Sequence, residues 1–397
     1  MLTWIALVTS LLLLLVISRK NLALGMFVAA VVLGLATLTW NEFLTQLFAT
    51  FSDPSVLSLA GLVGVIAMVG GILEESGEME NLVSNMRIGK RPFLAASPAL
   101  LGMLPMPGGA LLSAPMVESS GEDLAGSTKA VINVWFRHIL FLVYPLGPTL
   151  IASAKIAGLN VYATIPYLAP LFLVSVLLGY FYLLRETEIE MQYSGDFSLR
   201  GLLVPLAVIL LAPVSDIVLK TFFDFSVPEY TTLIGVSLSF LAALYVSGYG
   251  LPNLTKVAKK MEPWKFILIV LGMFTFLNVF QNSGAPEVIG SLTFPLPVLV
   301  VVIGFLLGLV TGRIQAPASI VFPIFFARQG VDVVPVLAFA IAYFSIFVGY
   351  AISPIHPCVS VSVEFFETSI GDYVKKIAPP AVVSLVVAGL LSIFVLD

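Results

Sequence analysis

The chain has 397 residues, 59% of them hydrophobic and 11% charged, with a mean hydropathy of +1.06, far outside the range of a soluble globular domain. Its net charge is −4 and its charged residues fall mostly in short connecting segments, which excludes a basic nucleic-acid surface and makes the lipid bilayer the first expected partner. The single cysteine, Cys358, excludes an internal disulfide and a multi-cysteine metal site, and no HExxH, Walker loop or GxSxG is present.

The first apolar stretch, residues 2–17, precedes Arg19 and Lys20 and lacks a basic start or a small-residue cleavage site. It reads as a retained span, not a signal peptide. Further stretches long enough to cross about 30 Å of hydrocarbon run over 22–39, 56–73, 130–153, 161–184, 199–219, 230–246, 264–280, 333–353 and 378–395. Two others are interrupted. In the first, LGMLPMPGGALLSAP (101–115), Pro105 and Pro107 lack an amide donor, and Gly108 and Gly109 favour non-helical backbone, so the helix must break. Unpaired backbone at membrane depth is costly unless protein encloses it or it lines a watery cavity. Residues 93–118, and likewise 296–326, are therefore expected to form re-entrant hairpins, which leaves ten spans.

Basic residues orient these spans. If the Arg19–Lys20 turn is cytoplasmic, that side also carries Arg87, Lys90, Arg91, Lys129, Arg185, Arg200, Lys256, Lys259, Lys260, Lys265, Lys375 and Lys376, and the other only Lys155, Lys220 and Arg328. Both termini then lie outside, and the hairpins enter from opposite faces.

The two halves of the chain repeat in order. Glu75-Ser76-Gly77 answers to Asn282-Ser283-Gly284, Leu101-Gly102 to Leu307-Gly308, and Pro115 to Pro323. Pro145-Leu146-Gly147-Pro148 answers to Pro354-Ile355-His356-Pro357, and Ala169-Pro170 to Ala378-Pro379, all at offsets of 206–209. Five spans per half is an odd number, so the copies must be inserted with opposite topology. The expected fold is an all-α polytopic membrane protein with two inverted repeats, 1–190 and 191–397. Each would hold five spans and one hairpin, with broken helices at the midplane.

In such proteins the site lies where the breaks meet: here the two hairpin tips, PLGP and PIHP. Helix N-termini at those breaks offer free amides to an anion, among them those near Pro107, Gly108 and Gly109. Ser113, Thr311, Gln315, Ser319 and Ser353 add neutral polar groups. Arg137 and His138 lie inside the 130–153 stretch, Arg313 in TGRIQAP, and His356 in PIHP; these histidines are the only two. Intramembrane cations mark a pathway or pair with a carboxylate. No partner carboxylate stands out in mid-span, since Glu74, Glu75 and Glu118 lie near cytoplasmic ends. A substrate carboxylate or similar oxyanion is the simplest partner for Arg313 and Arg137. No cofactor is expected. The coupling ion is either a proton, carried by His356 or His138, or sodium near the neutral oxygens of Asn133, Asn278 and Asn282.

In LPMPGGALLSAPMVE, in the FRH of Phe136–His138 with the following YPLGP, and in GYAISPIHPC, the chain resembles a prokaryotic membrane family catalogued as domain of unknown function 401. That family resembles a branch of the ion transporter superfamily, whose members carry di- and tricarboxylates, gluconate-like acids or oxyanions such as arsenite. The resemblance implies paired re-entrant hairpins, a homodimer held by scaffold helices, an elevator-like movement and residence in the cytoplasmic membrane. Sodium–dicarboxylate members carry Ser-Asn-Thr at both tips, whereas these tips read PMPGGA and TGRIQAPAS.

The expected function is ion-coupled secondary transport of a small organic anion. An anion channel could use the same cationic midplane, although opposed hairpins suit alternating gates better than a fixed pore. An enzyme acting on a lipid intermediate would need a nucleophile, an acid–base pair or a metal site, and two histidines with one cysteine form no recognisable triad.

Overall fold

The computed structural model describes residues 2–105, 109–187, 193, 196–291 and 294–396, with the side chains of 251, 252 and 290 outside the description. All regular structure among the described residues is helical. The first half contains α1 (Leu2–Ser18), α2 (Leu22–Thr37), α3 (Trp40–Ser52), α4 (Pro54–Glu75), α5 (Glu78–Ser84), α6 (Lys90–Gly102), α7 (Ala110–Ser120), α8 (Gly126–Ile139), α9 (Pro148–Ile156) and α10 (Val161–Gly179). The second contains α11 (Leu199–Phe222), α12 (Glu229–Ser247), α13 (Leu251–Met261), α14 (Pro263–Asn282), α15 (Ala285–Gly290), α16 (Gly304–Thr311), α17 (Gln315–Gln329), α18 (Val336–Ile352), α19 (Pro357–Phe365) and α20 (Ile370–Leu396). A π-helical turn, Tyr180–Leu184, extends α10, and another, Val298–Ile303, leads into α16.

Local chemistry sets the helix ends. Asp53 accepts from the Ser55 amide and Pro54 opens α4, while Thr39 and Glu42 form a capping box on α3. After α4, Ser76 and Gly77 make a turn in which the glycine takes φ +78°; after α14, Ser283 and Gly284 repeat it with φ +71°. Both glycines occupy the left-handed region that side chains disfavour.

Seven of the ten expected spans are helices long and apolar enough to cross a bilayer, and α1 and α2 are shorter apolar helices. The tenth, residues 130–153, is not continuous. α8 stops at Ile139, a 3₁₀ turn follows, and α9 restarts at Pro148, because Pro145, Gly147 and Pro148 deny the helix its amides and rigidity. The last two spans flank a similar break, in which the Ser353 hydroxyl donates to the Leu309 carbonyl and accepts from the Ile355 amide. The interrupted stretches are pairs of short helices, α6 with α7 and α16 with α17, packed against each other. Each arm is shorter than the roughly 20 residues a crossing needs.

Two groups of helices emerge from the packing. One is a chain of contacts running α1, α2, α14, α4, α12, α11, with the short helices α3 lying on α14 and α13 on α4. The other contains α6–α10 and α16–α20. There α6 packs on α8 and α16 on α18, and the halves cross: α10 lies on α18, α20 on α8, α19 on α7 and α9 on α17. Every residue from Thr128 to Ile139 and from Ala338 to Ala351 is buried, so α8 and α18 form the interior of this group. α20 instead presents Val382, Val386, Leu390, Ile393 and Phe394 outward, an apolar face suited to lipid.

Glycine permits the tightest crossings. A Cβ on Gly102 would lie 1.9 Å from the Arg137 carbonyl oxygen, and one on Gly308 2.3 Å from that of Ile346. Close approach through small residues is how membrane helices gain packing without a hydrophobic drive.

Candidate functional site

The breaks bring the expected cations together. His138, at the end of α8, and His356, in the PIHP break, have ring centroids 4.7 Å apart. Tyr350 from α18 lies 4.1 Å from His356 and 5.2 Å from His138, and Phe141 meets His138 edge-on at 5.2 Å. His138 Nδ1 is 2.6 Å from the Val134 carbonyl, which places the proton on Nδ1 and leaves Nε2 as the acceptor in the neutral ring. His356 Nδ1 is buried without a partner.

Arg137 is buried beside Cys358, and its guanidinium donates to the Ser113 hydroxyl at 3.4 Å. Arg313 follows Gly312, whose φ of +58° lets the second tip sit against the His356 backbone. The Arg313 amide donates to the Thr311 hydroxyl, and its Nε donates to the Ser18 carbonyl at 3.2 Å. Its charge is close enough to act on both Tyr350 and His356. Among the described residues no carboxylate forms an ion pair with Arg137 or Arg313.

The neutral polar candidates make local bonds. Thr311 donates to the Leu307 carbonyl, Ser319 to that of Gln315, and Ser113 to that of Ala110. Gly109 caps α7 without a side-chain bond, and α9, α17 and α19 also begin without one, so no side chain caps their N-termini. Pro107 and Gly108 lie outside the described residues. Asn133 donates to Ala110 and Ser362 and leaves its buried Oδ1 unpartnered. Asn278 bonds Thr50 of α3, and Asn282 bonds the Asn278 carbonyl; neither shares a partner with Asn133.

Sequence reasoning missed Tyr350 and Cys358, although both belong to GYAISPIHPC and flank the break. Ligand atoms of Cys358, His138 and His356 lie within 4.8 Å of one another, a set able to hold a soft metal ion, but with Arg137 adjacent to oppose one. The expectation concerns mid-span carboxylates; near the end of the 199–219 stretch, sequence reasoning passed over a buried one. Asp216 of α11 is fully buried, because Tyr162, Lys220, Thr231 and Thr232 all donate to it.

Two cavities flank the hairpins. One, of about 510 Å³ in the first half, is lined by Glu74, Met79, Glu80, Pro115 and Ser119 among others. The other, of about 620 Å³, is lined by Gln281, Pro286, Glu287, Pro323 and Ala327 among others. These five pairs stand at the same offsets as the sequence repeat, 207 or 208.

The comparisons agree with this architecture. The crystal structure of the Alcanivorax borkumensis YdaH transporter, reported to have an unusual topology, shares the fold with a TM-score of 0.61 at 18% identity, over 94% of this chain and 96% of that one. No curated protein matches the sequence. A family model described as "Protein of unknown function (DUF401)" matches residues 2–396. This all-helical, multi-pass membrane protein therefore belongs to the DUF401 family.

Proposed function

We propose that the protein is a secondary transporter of a small organic anion of carboxylate type. The observation that carries the reading is the convergence of Arg137, His138, His356 and Arg313 from both halves of the chain at broken helices, with no carboxylate ion-paired to either arginine among the described residues. Buried guanidinium groups are expensive to leave unneutralised, and a substrate carboxylate supplies the missing charge by bidentate hydrogen bonding. The uncapped N-termini of α7, α9, α17 and α19 supply further donors.

In this reading residues 1–190 and 191–397 are inverted copies. The matching order of helices, the repeated Ser-Gly turns and the paired cavities support it. The hairpin-bearing group, α6–α10 with α16–α20, slides as an elevator against the scaffold of α1, α2, α4, α11, α12 and α14, in a homodimer of the cytoplasmic membrane with both termini outside. The fold shared with a transporter favours this over a channel or an enzyme.

Transport in proteoliposomes, with imposed proton or sodium gradients and a panel of mono-, di- and tricarboxylates, tests it. Gradient-driven uptake of a carboxylate is the expected result. Failure of every anion, with movement of a neutral or cationic solute, overturns it.

A further inference from the structure

Glu74 ends α4 where the first cavity opens beside the α6–α7 hairpin. Its side chain is only 9% exposed. Oε1 accepts from Lys260 at 3.1 Å, but Oε2 is sealed from solvent with no hydrogen-bond partner. The charged groups around it are few. Lys260 of α13 is shared with Glu75, which also holds Lys256; Glu80 of α5 is exposed at the cavity, and Lys265 of α14 is paired with Glu262. Glu118 of α7 is held by Lys129, and from α8 the guanidinium of Arg137 is close enough to feel the Glu74 charge.

A carboxylate oxygen buried without a donor is costly, so Oε2 is a vacant acceptor that a cation or a proton would satisfy. The cavity wall narrows the choice of cation. Besides Glu74 it offers Glu80 and Ser119 as side-chain oxygens, and the remaining lining side chains are Leu, Met and Pro. A sodium ion needs several oxygens at once, whereas a proton needs one. The equivalent position in the second cavity is Gln281, an amide that cannot titrate.

We propose that Glu74 is the proton-binding site of the protein, loaded at Oε2 from the first cavity and coupled electrostatically to anion binding at Arg137. An anion arriving at Arg137 cancels the positive charge that favours ionised Glu74, so it promotes proton uptake. By linkage, a proton on Glu74 strengthens anion binding to the same degree. The coupling step rests on the transport reading above, but the proton site does not.

The test therefore has two arms. Infrared difference spectra of the purified full-length chain between acid and neutral pH, with no substrate added, are expected to show the C=O band of a protonated buried carboxyl. That band disappears in Glu74→Gln, returns in Glu74→Asp and is unchanged in Glu80→Gln. Its persistence in Glu74→Gln overturns the assignment. Its absence from the wild-type protein does so as well, without any variant having to fold. In proteoliposomes, whichever carboxylate the wild-type protein carries should still exchange through Glu74→Gln but lose acceleration by an imposed pH gradient. Retained acceleration overturns the coupling while leaving anion transport intact. If the wild-type protein carries no carboxylate, the transport reading fails, and the spectra still decide on Glu74.

Discussion

The two cavities are built alike and charged differently. Glu80 and Glu287 occupy matching positions, as do Pro115 and Pro323, but Glu74 faces Gln281 across the repeat. A second difference lies between the helix groups. Lys155 of α9 reaches Glu229 of α12 at 2.7 Å and Ser55 of α4 at 2.5 Å, and Ser55 also donates to Glu229. Nearby, Tyr162 of α10 donates to Asp216 of α11. At the repeat offsets, the positions answering to Lys155, Ser55 and Glu229 are Glu364, Glu262 and Leu22, which cannot form such a tie. The halves thus share a backbone plan while their polar links have diverged. In the proposed alternating-access reading, two end states built from such halves would be unequal in energy, and the arrangement seen here is held by bonds without a counterpart at the repeat offsets.

The shared plan should break most severely at its glycines. Gly102→Ala places a Cβ 1.9 Å from a backbone oxygen of α8, overpacking that should cost about 3 kcal/mol or more. Thermal unfolding in detergent should show a large drop for this variant, a smaller one for Gly308→Ala, and none for Gly61→Ala, whose surroundings are open.

At the meeting point of the halves, Arg137→Ala should weaken carboxylate binding roughly 100-fold, in the range for removing one partner of a buried charge pair. Arg313→Ala should do the same if both halves clasp the ligand. Ligand-dependent thermal shifts measure this, and an unchanged shift in either variant removes that residue from the site.

The divergent links predict a smaller effect. Glu229→Gln removes the charge that holds Lys155 and should cost about 1 kcal/mol. It should also speed maleimide labelling of Cys358 at constant pH, because the helix groups are then less firmly joined. Labelling at the wild-type rate would mean that the tie does not restrain the arrangement.

The smallest effect belongs to α13. Lys260 is raised above the ordinary lysine value of 10.5 chiefly by its hydrogen bond to Glu75, with Glu74 adding to it. Stability from this pairing is fully present below the unfolded value and lost as pH rises through the folded one. The unfolding midpoint should therefore show no Lys260-dependent change near neutrality. Lys260→Met should flatten only the alkaline limb of the profile.

Much of this architecture was legible because proline, glycine and charge are conspicuous in an apolar chain. The breaks at PLGP and PIHP announce themselves through missing amides, and Arg137, His138, Arg313 and His356 stand out against their surroundings. α3 and α13 were not legible, since each is too short and too polar to register as a span and owes its place to packing on α14 or α4. Asp216 was missed for another reason. The groups that make its burial tolerable come from Tyr162, Thr231 and Thr232, in segments that only the tertiary fold brings close. The same holds for Tyr350 and Cys358, which look like ordinary span residues until the chain turns back at His356.

One contact joins the candidate site to the frame around it. The Ser18 carbonyl, which accepts from Arg313 Nε, belongs to the last turn of α1, where helix geometry supplies no amide to carbonyl oxygens. The tip of the second hairpin is thereby moored to the first helix of the chain by a single N–H, and the rest of the guanidinium fork stays available to another acceptor. Any travel of that hairpin must first release this mooring, so the same side chain that would greet a cargo also sets the cost of casting off.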